Sequence, residues 1–137
     1  MDVLFRFETT AEPARVIEAL TTTEGIKKFW TTDADVPSTV GATLRLGFKV
    51  APVPFDLTLD QSDDSTVVWR TETFPPHWVG TTVRWDVEPT GTGANVRFRH
   101  GPFSDEDEAG MVGFTWGQIL AQLKILAETG DATPVFS

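Results

Sequence analysis

Between Val3 and Glu8 apolar and polar residues alternate, with Val3, Phe5 and Phe7 on one side and Arg6 and Glu8 on the other. A period of two reads as a half-buried strand. Thr10-Ala11-Glu12-Pro13 follows, offering a hydroxyl cap, an acid and a first-turn proline, and Val16, Ile17 and Leu20 then recur at helical spacing. This predicts a short helix over residues 11–21, capped by Thr10. A second short helix starting at Thr23 presents Ile26, Phe29 and Trp30, before a polar stretch from Thr31 to Asp35.

From Gly41 the spacing returns to two. Leu44, Leu46 and Phe48 form one set, and Phe55, Leu57 and Leu59 form the next, separated by Pro52 and Pro54, which cannot donate to a ladder. Thr66 to Thr73 gives another strand with Val67 and Trp69 on one face and Arg70 and Glu72 on the other, ended by Pro75-Pro76. Val83, Trp85 and Val87 then oppose Arg84, Asp86 and Glu88, and Val96, Phe98 and His100 oppose Asn95, Arg97 and Arg99. The loop Pro89-Thr90-Gly91-Thr92-Gly93 between them is a hairpin connection. Five successive alternating segments on short turns predict an antiparallel meander with one wet and one dry face.

The carboxy-terminal segment is the only one long enough to cover that dry face. Ser104 is placed as a hydroxyl cap ahead of Asp105-Glu106-Asp107-Glu108, whose carboxylates favour the positive end of a helix dipole. Val112, Trp116, Ile119, Leu120, Leu123, Leu126 and Ala127 make a broad apolar stripe, and Gly130 is suited to a left-handed helix end. Gly113 interrupts this helix, either for close approach of the sheet, or for room beside Trp116, or because it lies near a frayed start. The expectation is an α+β fold with a curved antiparallel sheet of about six strands around a long terminal helix. No repeat or linker divides residues 1–137, so one domain is expected.

The series Thr9 to Val16, Gly41-Ala42-Thr43-Leu44, Trp85-Asp86-Val87-Glu88-Pro89 and Phe98-Arg99-His100-Gly101, with Gly113 ahead of the terminal helical repeat, resembles the START-like helix-grip superfamily, also called SRPBCC. Within it the likeness is to bacterial homologues of the activator of the heat-shock protein 90 ATPase. The resemblance covers nearly the whole chain. It implies a fold shared by lipid-transfer domains, plant ligand carriers, polyketide cyclases and chaperone activators, so fold alone leaves activity open.

Composition narrows the field. The chain has no cysteine, which removes disulfides, thiolate metal sites and cysteine nucleophiles, and makes the cytoplasm the default location. No basic segment leading into an apolar stretch follows Met1, so no secretion signal is expected. A net charge of −9 repels phosphate backbones and anionic headgroups, so neither nucleic acid nor a membrane is expected as partner. Two histidines without helical i, i+4 spacing make no metal site, and Gly91-Thr92-Gly93 leads into a strand rather than a phosphate-cradling helix. No metal and no cofactor are expected.

Five tryptophans remain to be explained, and Trp69, Trp85 and Trp116 all fall on predicted inward faces, as core or as cavity wall. His100 continues the inward series. It suits an acid, a base or a donor that orients a ligand oxygen, unless it lies at the sheet edge bonded to backbone or water. No acid or serine at readable spacing completes a triad with it, and His77 sits at a loop rim. The expected ligand-binding set is Phe48, Phe55, Trp69, Trp85, His100, Trp116 and Leu120, with no catalytic residue unless His100 is one. The function expected is binding of a small hydrophobic or aromatic ligand in the cleft between sheet and helix. Regulation of a chaperone ATPase, and cyclase-like catalysis through His100, are the alternatives.

Overall fold

A computed structural model describes residues 1–137. Strand β1 (Val3–Thr9) is followed by helices α1 (Pro13–Thr21) and α2 (Thr23–Phe29), and then by β2 (Asp33–Asp35), β3 (Thr43–Gly47), β4 (Phe55–Ser62) and β5 (Thr66–Thr71). A 3₁₀ turn (Pro76–Trp78), β6 (Thr82–Pro89), β7 (Ala94–Gly101) and the long helix α3 (Glu106–Thr129) follow. The strands form one antiparallel sheet in the order β1-β7-β6-β5-β4-β3-β2. This is the helix-grip α+β architecture, in which the meander closes around α3.

Alternation explains the burial. Val83, Trp85 and Val87 on β6 and Val96, Phe98 and His100 on β7 are each at most 2 % exposed, while Arg84, Arg97 and Arg99 face water. The register between β4 and β5 shifts between Leu59 and Gln61. Such an irregularity bends a strand and raises its twist. Phe5, on the inward face of the edge strand β1, remains 36 % exposed; α3 crosses over it at Gly117, where an added Cβ would lie 3.7 Å from its ring.

Several local expectations need correction. The sheet has seven strands, because Asp33–Asp35, read as a polar connection, pairs with β3 through Ala34 and Leu46. Thr10 does not cap α1, whose N-cap Glu12 makes no side-chain bond. Its neighbour Thr9 instead accepts the Ala11 N–H and donates to Glu128 on the last turn of α3 at 2.7 Å, tying the end of β1 to the helix. The cap of α3 is Asp105 rather than Ser104, its carboxylate accepting the Asp107 N–H at 2.9 Å. Gly130 ends that helix at φ 79°, where a side chain would be strained. Close approach of the sheet does not require glycine at 113, since a Cβ there would make only ordinary contact with Val3 Cγ1 at 3.5 Å.

Beyond α3, residues 131–137 cross back to the segment joining α2 to β2. Phe136 N–H donates to Trp30 O at 2.9 Å, Thr32 N–H to Phe136 O at 3.2 Å and Val135 N–H to Phe29 O at 3.3 Å. The Gln122 side chain accepts Thr133 N–H at 3.0 Å. The resulting strap lengthens the β2 end of the sheet by a parallel bridge between Thr31 and Phe136.

Candidate functional site

The body of α3, together with loops and the ends of other elements, bounds a cavity of about 200 Å³. Its back is Trp30, just past α2, with Trp116 and Ile119 of α3. One side comes from Phe48, Val50 and Ala51 after β3 and from Phe55 at the start of β4, and the other from His77 and Trp78 of the 3₁₀ turn. Met111, Val112 and Thr115 on the first turns of α3, and Phe136 of the strap, complete the wall. Val50 at 88 % and Met111 at 73 % exposure place the mouth at the surface. His77 and Thr115 are the polar side chains among these residues, so the interior is suited to an apolar occupant.

The rings are mutually braced. Trp30 lies 4.9 Å from Trp116 and 5.8 Å from Trp69, and Trp78 stacks on Trp116 at 5.9 Å and 22°. Phe48 touches Phe55 at 4.6 Å and meets Phe136 edge-on at 5.0 Å. Such pairs each contribute about 0.5–1.5 kcal/mol beyond their area.

Of the seven residues expected from sequence, Phe48, Phe55 and Trp116 line this cavity, and Trp69, Trp85, His100 and Leu120 do not. Those four point inward, but into the packed layer behind it; Trp85 packs on Phe98 at 4.7 Å and Trp69 on Trp85 at 5.9 Å. Alternation reports which face a side chain takes, not how far along the sheet a void lies. Trp30, Trp78, Ile119 and Phe136 were absent from the expected set. His77, read as a rim residue, lies at the mouth.

His100 is fully buried on β7, flanked by β1 and β6, so it is not at a sheet edge, and both of its ring nitrogens take side-chain partners. The Trp116 indole N–H donates to its Nδ1 at 3.0 Å. Nδ1 must then be bare and Nε2 protonated, so Nε2–H donates to Thr81 Oγ1 at 2.9 Å, whose hydroxyl in turn donates to Trp78 O at 2.6 Å. Each group in this chain gives one hydrogen and the imidazole is neutral. Burial, with a smaller contribution from the charge of nearby His77, pushes the His100 pKa down from 6.5 to about 3. Protonation would set a second N–H against the Trp116 donor. By contrast the Trp85 indole N–H is buried without a partner.

No three of the His, Asp and Glu side chains converge to hold a metal ion, and no helix is long and apolar enough to cross a membrane. The outer face carries Arg6, Arg84, Arg97 and Arg99, each within 3.6 Å of a carboxylate on Glu8, Asp86, Glu88 or Asp2.

The fold recurs in known proteins. The chain matches a solution structure of an Aha1 dimer from Colwellia psychrerythraea at 28% identity and a TM-score of 0.86, covering 95% of this chain and 98% of that one. A crystal structure of a Mesorhizobium loti protein matches at 19% identity and a TM-score of 0.79, over 92% and 96% of the two chains. DynU16, described as a putative protein in the dynemicin biosynthetic locus, matches at 19% identity and a TM-score of 0.80, over 96% of this chain and 48% of its own length. No curated protein matches by sequence. Residues 10–128 match the family described as activator of Hsp90 ATPase homolog 1-like protein, AHSA1. That match spans most of the chain, which therefore belongs to the AHSA1 family of START-like, SRPBCC proteins.

Proposed function

We propose that this protein binds a compact apolar molecule, ring-shaped for preference, in the cleft between the curved sheet and α3. The observation that carries the reading is the cavity itself, about 200 Å³ walled by three tryptophans and three phenylalanines. An aromatic wall of this kind favours flat ligands through stacking and edge contacts. Because Trp30, Trp78 and Trp116 stand in the wall, occupancy should change intrinsic fluorescence and raise the melting temperature. The test is a panel of fatty acids, sterols and aromatic polyketides read by both signals. Absence of any response across the panel would reject the reading.

Family membership favours a second reading, regulation of a chaperone ATPase. Met111 and Phe114 on α3, each 73 % exposed, with Val50 beside the same mouth, offer apolar contact for a protein partner. The Colwellia relative is described as an Aha1 dimer. Turnover of an Hsp90 ATPase with and without this protein tests it, an unchanged rate counting against a regulatory role.

Catalysis through His100 receives no support from the geometry. Both ring nitrogens are committed to Trp116 and Thr81, and neither reaches the cavity wall. A proton exchanged with a bound molecule has no route through that ring.

A further inference from the structure

The walls of the cavity are not all of one kind. Trp116 and Ile119 belong to the interior of a 24-residue helix, and Trp30 is 1 % exposed within the core. Phe136 hangs instead on the strap, which is held by three backbone hydrogen bonds to Phe29, Trp30 and Thr32 and by the Gln122 side chain. Terminal segments with few buried apolar contacts open at lower free energy than the elements they cover. The Phe136 ring is only partly buried, yet it lines the cavity and meets the Phe48 ring edge-on at 5.0 Å.

We propose that Phe136 sets the size limit of the ligand, so that the cleft with the strap seated takes a one- or two-ring aromatic molecule and excludes larger polycyclic ones. This deepens the binding reading above and rests on it. An apolar cavity of about 150 Å³ accommodates a single benzene, and the 200 Å³ here leaves room for a second fused ring at most. Drug-sized ligands occupy pockets from about 300 Å³ upward. Removing one phenyl ring from the wall moves the cavity toward that range without touching Trp30, Trp78 or Trp116.

The experiment compares 2-naphthol with 1-hydroxypyrene, which share one hydroxyl and differ in ring number, by titration calorimetry on the full chain and on Phe136→Ala. The unmodified protein should bind hydroxypyrene at least about tenfold more weakly than naphthol, and Phe136→Ala should bring the two to within about threefold. Phe136→Leu keeps the strap apolar and should give an intermediate ratio. It carries the same test if circular dichroism shows the alanine variant unfolded. A ratio that is near one in the unmodified protein, or that does not move in the variants, overturns the size limit while leaving cavity binding intact. Failure of both compounds to bind any of the proteins overturns the size limit and the binding reading together.

Discussion

Replacing His100 by glutamine tests the hydrogen-bond chain through its pH dependence. Glutamine can accept from the Trp116 indole and donate to Thr81, but it binds no proton in this range. The histidine has a pKa of about 3 in the folded protein against 6.5 when unperturbed. Between those values the unfolded chain carries more protons than the folded one, so this group's contribution is complete above about pH 6.5 and declines as pH falls. Going from about pH 7 to about pH 5 should cost the unmodified protein about 2 kcal/mol through His100. Carried down to the folded pKa the same linkage reaches about 4 kcal/mol, an upper figure that acid unfolding of other groups will cut short. The gap in stability between the two proteins is the informative quantity, because the acidic residues and exposed His77 are common to both. Urea denaturation at the two pH values measures it. The gap should shrink, in the variant's favour, by about 2 kcal/mol; a gap constant to within about 0.5 kcal/mol would show that His100 is not held neutral by its surroundings.

Other substitutions separate the remaining claims. Trp116→Phe and Trp85→Phe remove the same atoms from two buried tryptophans, but only the first leaves His100 Nδ1 without its donor. Thermal and chemical melts should therefore find Trp116→Phe worse by about 1–2 kcal/mol, and equal losses would contradict the pairing. Gly113→Ala should stabilise by about 0.5–1 kcal/mol, since its Cβ makes ordinary contact with Val3 and alanine is the better helix former. Gly25→Ala should do the opposite and lower the melting temperature, its Cβ falling 2.4 Å from Ala19 O. Gly130→Ala places a side chain at φ 79° and should cost about 1 kcal/mol in the same assay.

Much of the fold was legible because period-two patterning is local. The hairpin from Thr82 to Gly101 follows its sequence pattern through β6 and β7, with a glycine-rich turn between them. The strand Asp33–Asp35 was not legible, since a three-residue edge strand with one buried side chain, Ala34, offers no period to detect. The strap was missed for the same reason: Val135 and Phe136 follow the last periodic element and take their places through tertiary pairing. The cavity suffers most from this limit. Trp30, Trp78 and Phe136 come from a helix end, a turn and a tail, where neither helical nor strand spacing applies. His100 was correctly aimed inward, yet its partners lie 19 and 16 residues away on other elements, and only the folded chain brings them into reach.

The hydrogen-bond chain from Trp116 through His100 and Thr81 to the Trp78 carbonyl also has a consequence for recognition. It joins α3, β7, the entry to β6 and the 3₁₀ turn, and so holds two adjoining wall residues of the cleft, Trp116 and Trp78, in one frame. A guest of the kind proposed above would find these surfaces already ordered, with much of the loss of side-chain entropy that accompanies most association settled at folding. Under the proposed binding role, affinity for a well-matched flat molecule should change little with temperature-dependent loosening of the surface, and should collapse when the frame is cut at Thr81, a residue outside the cavity lining.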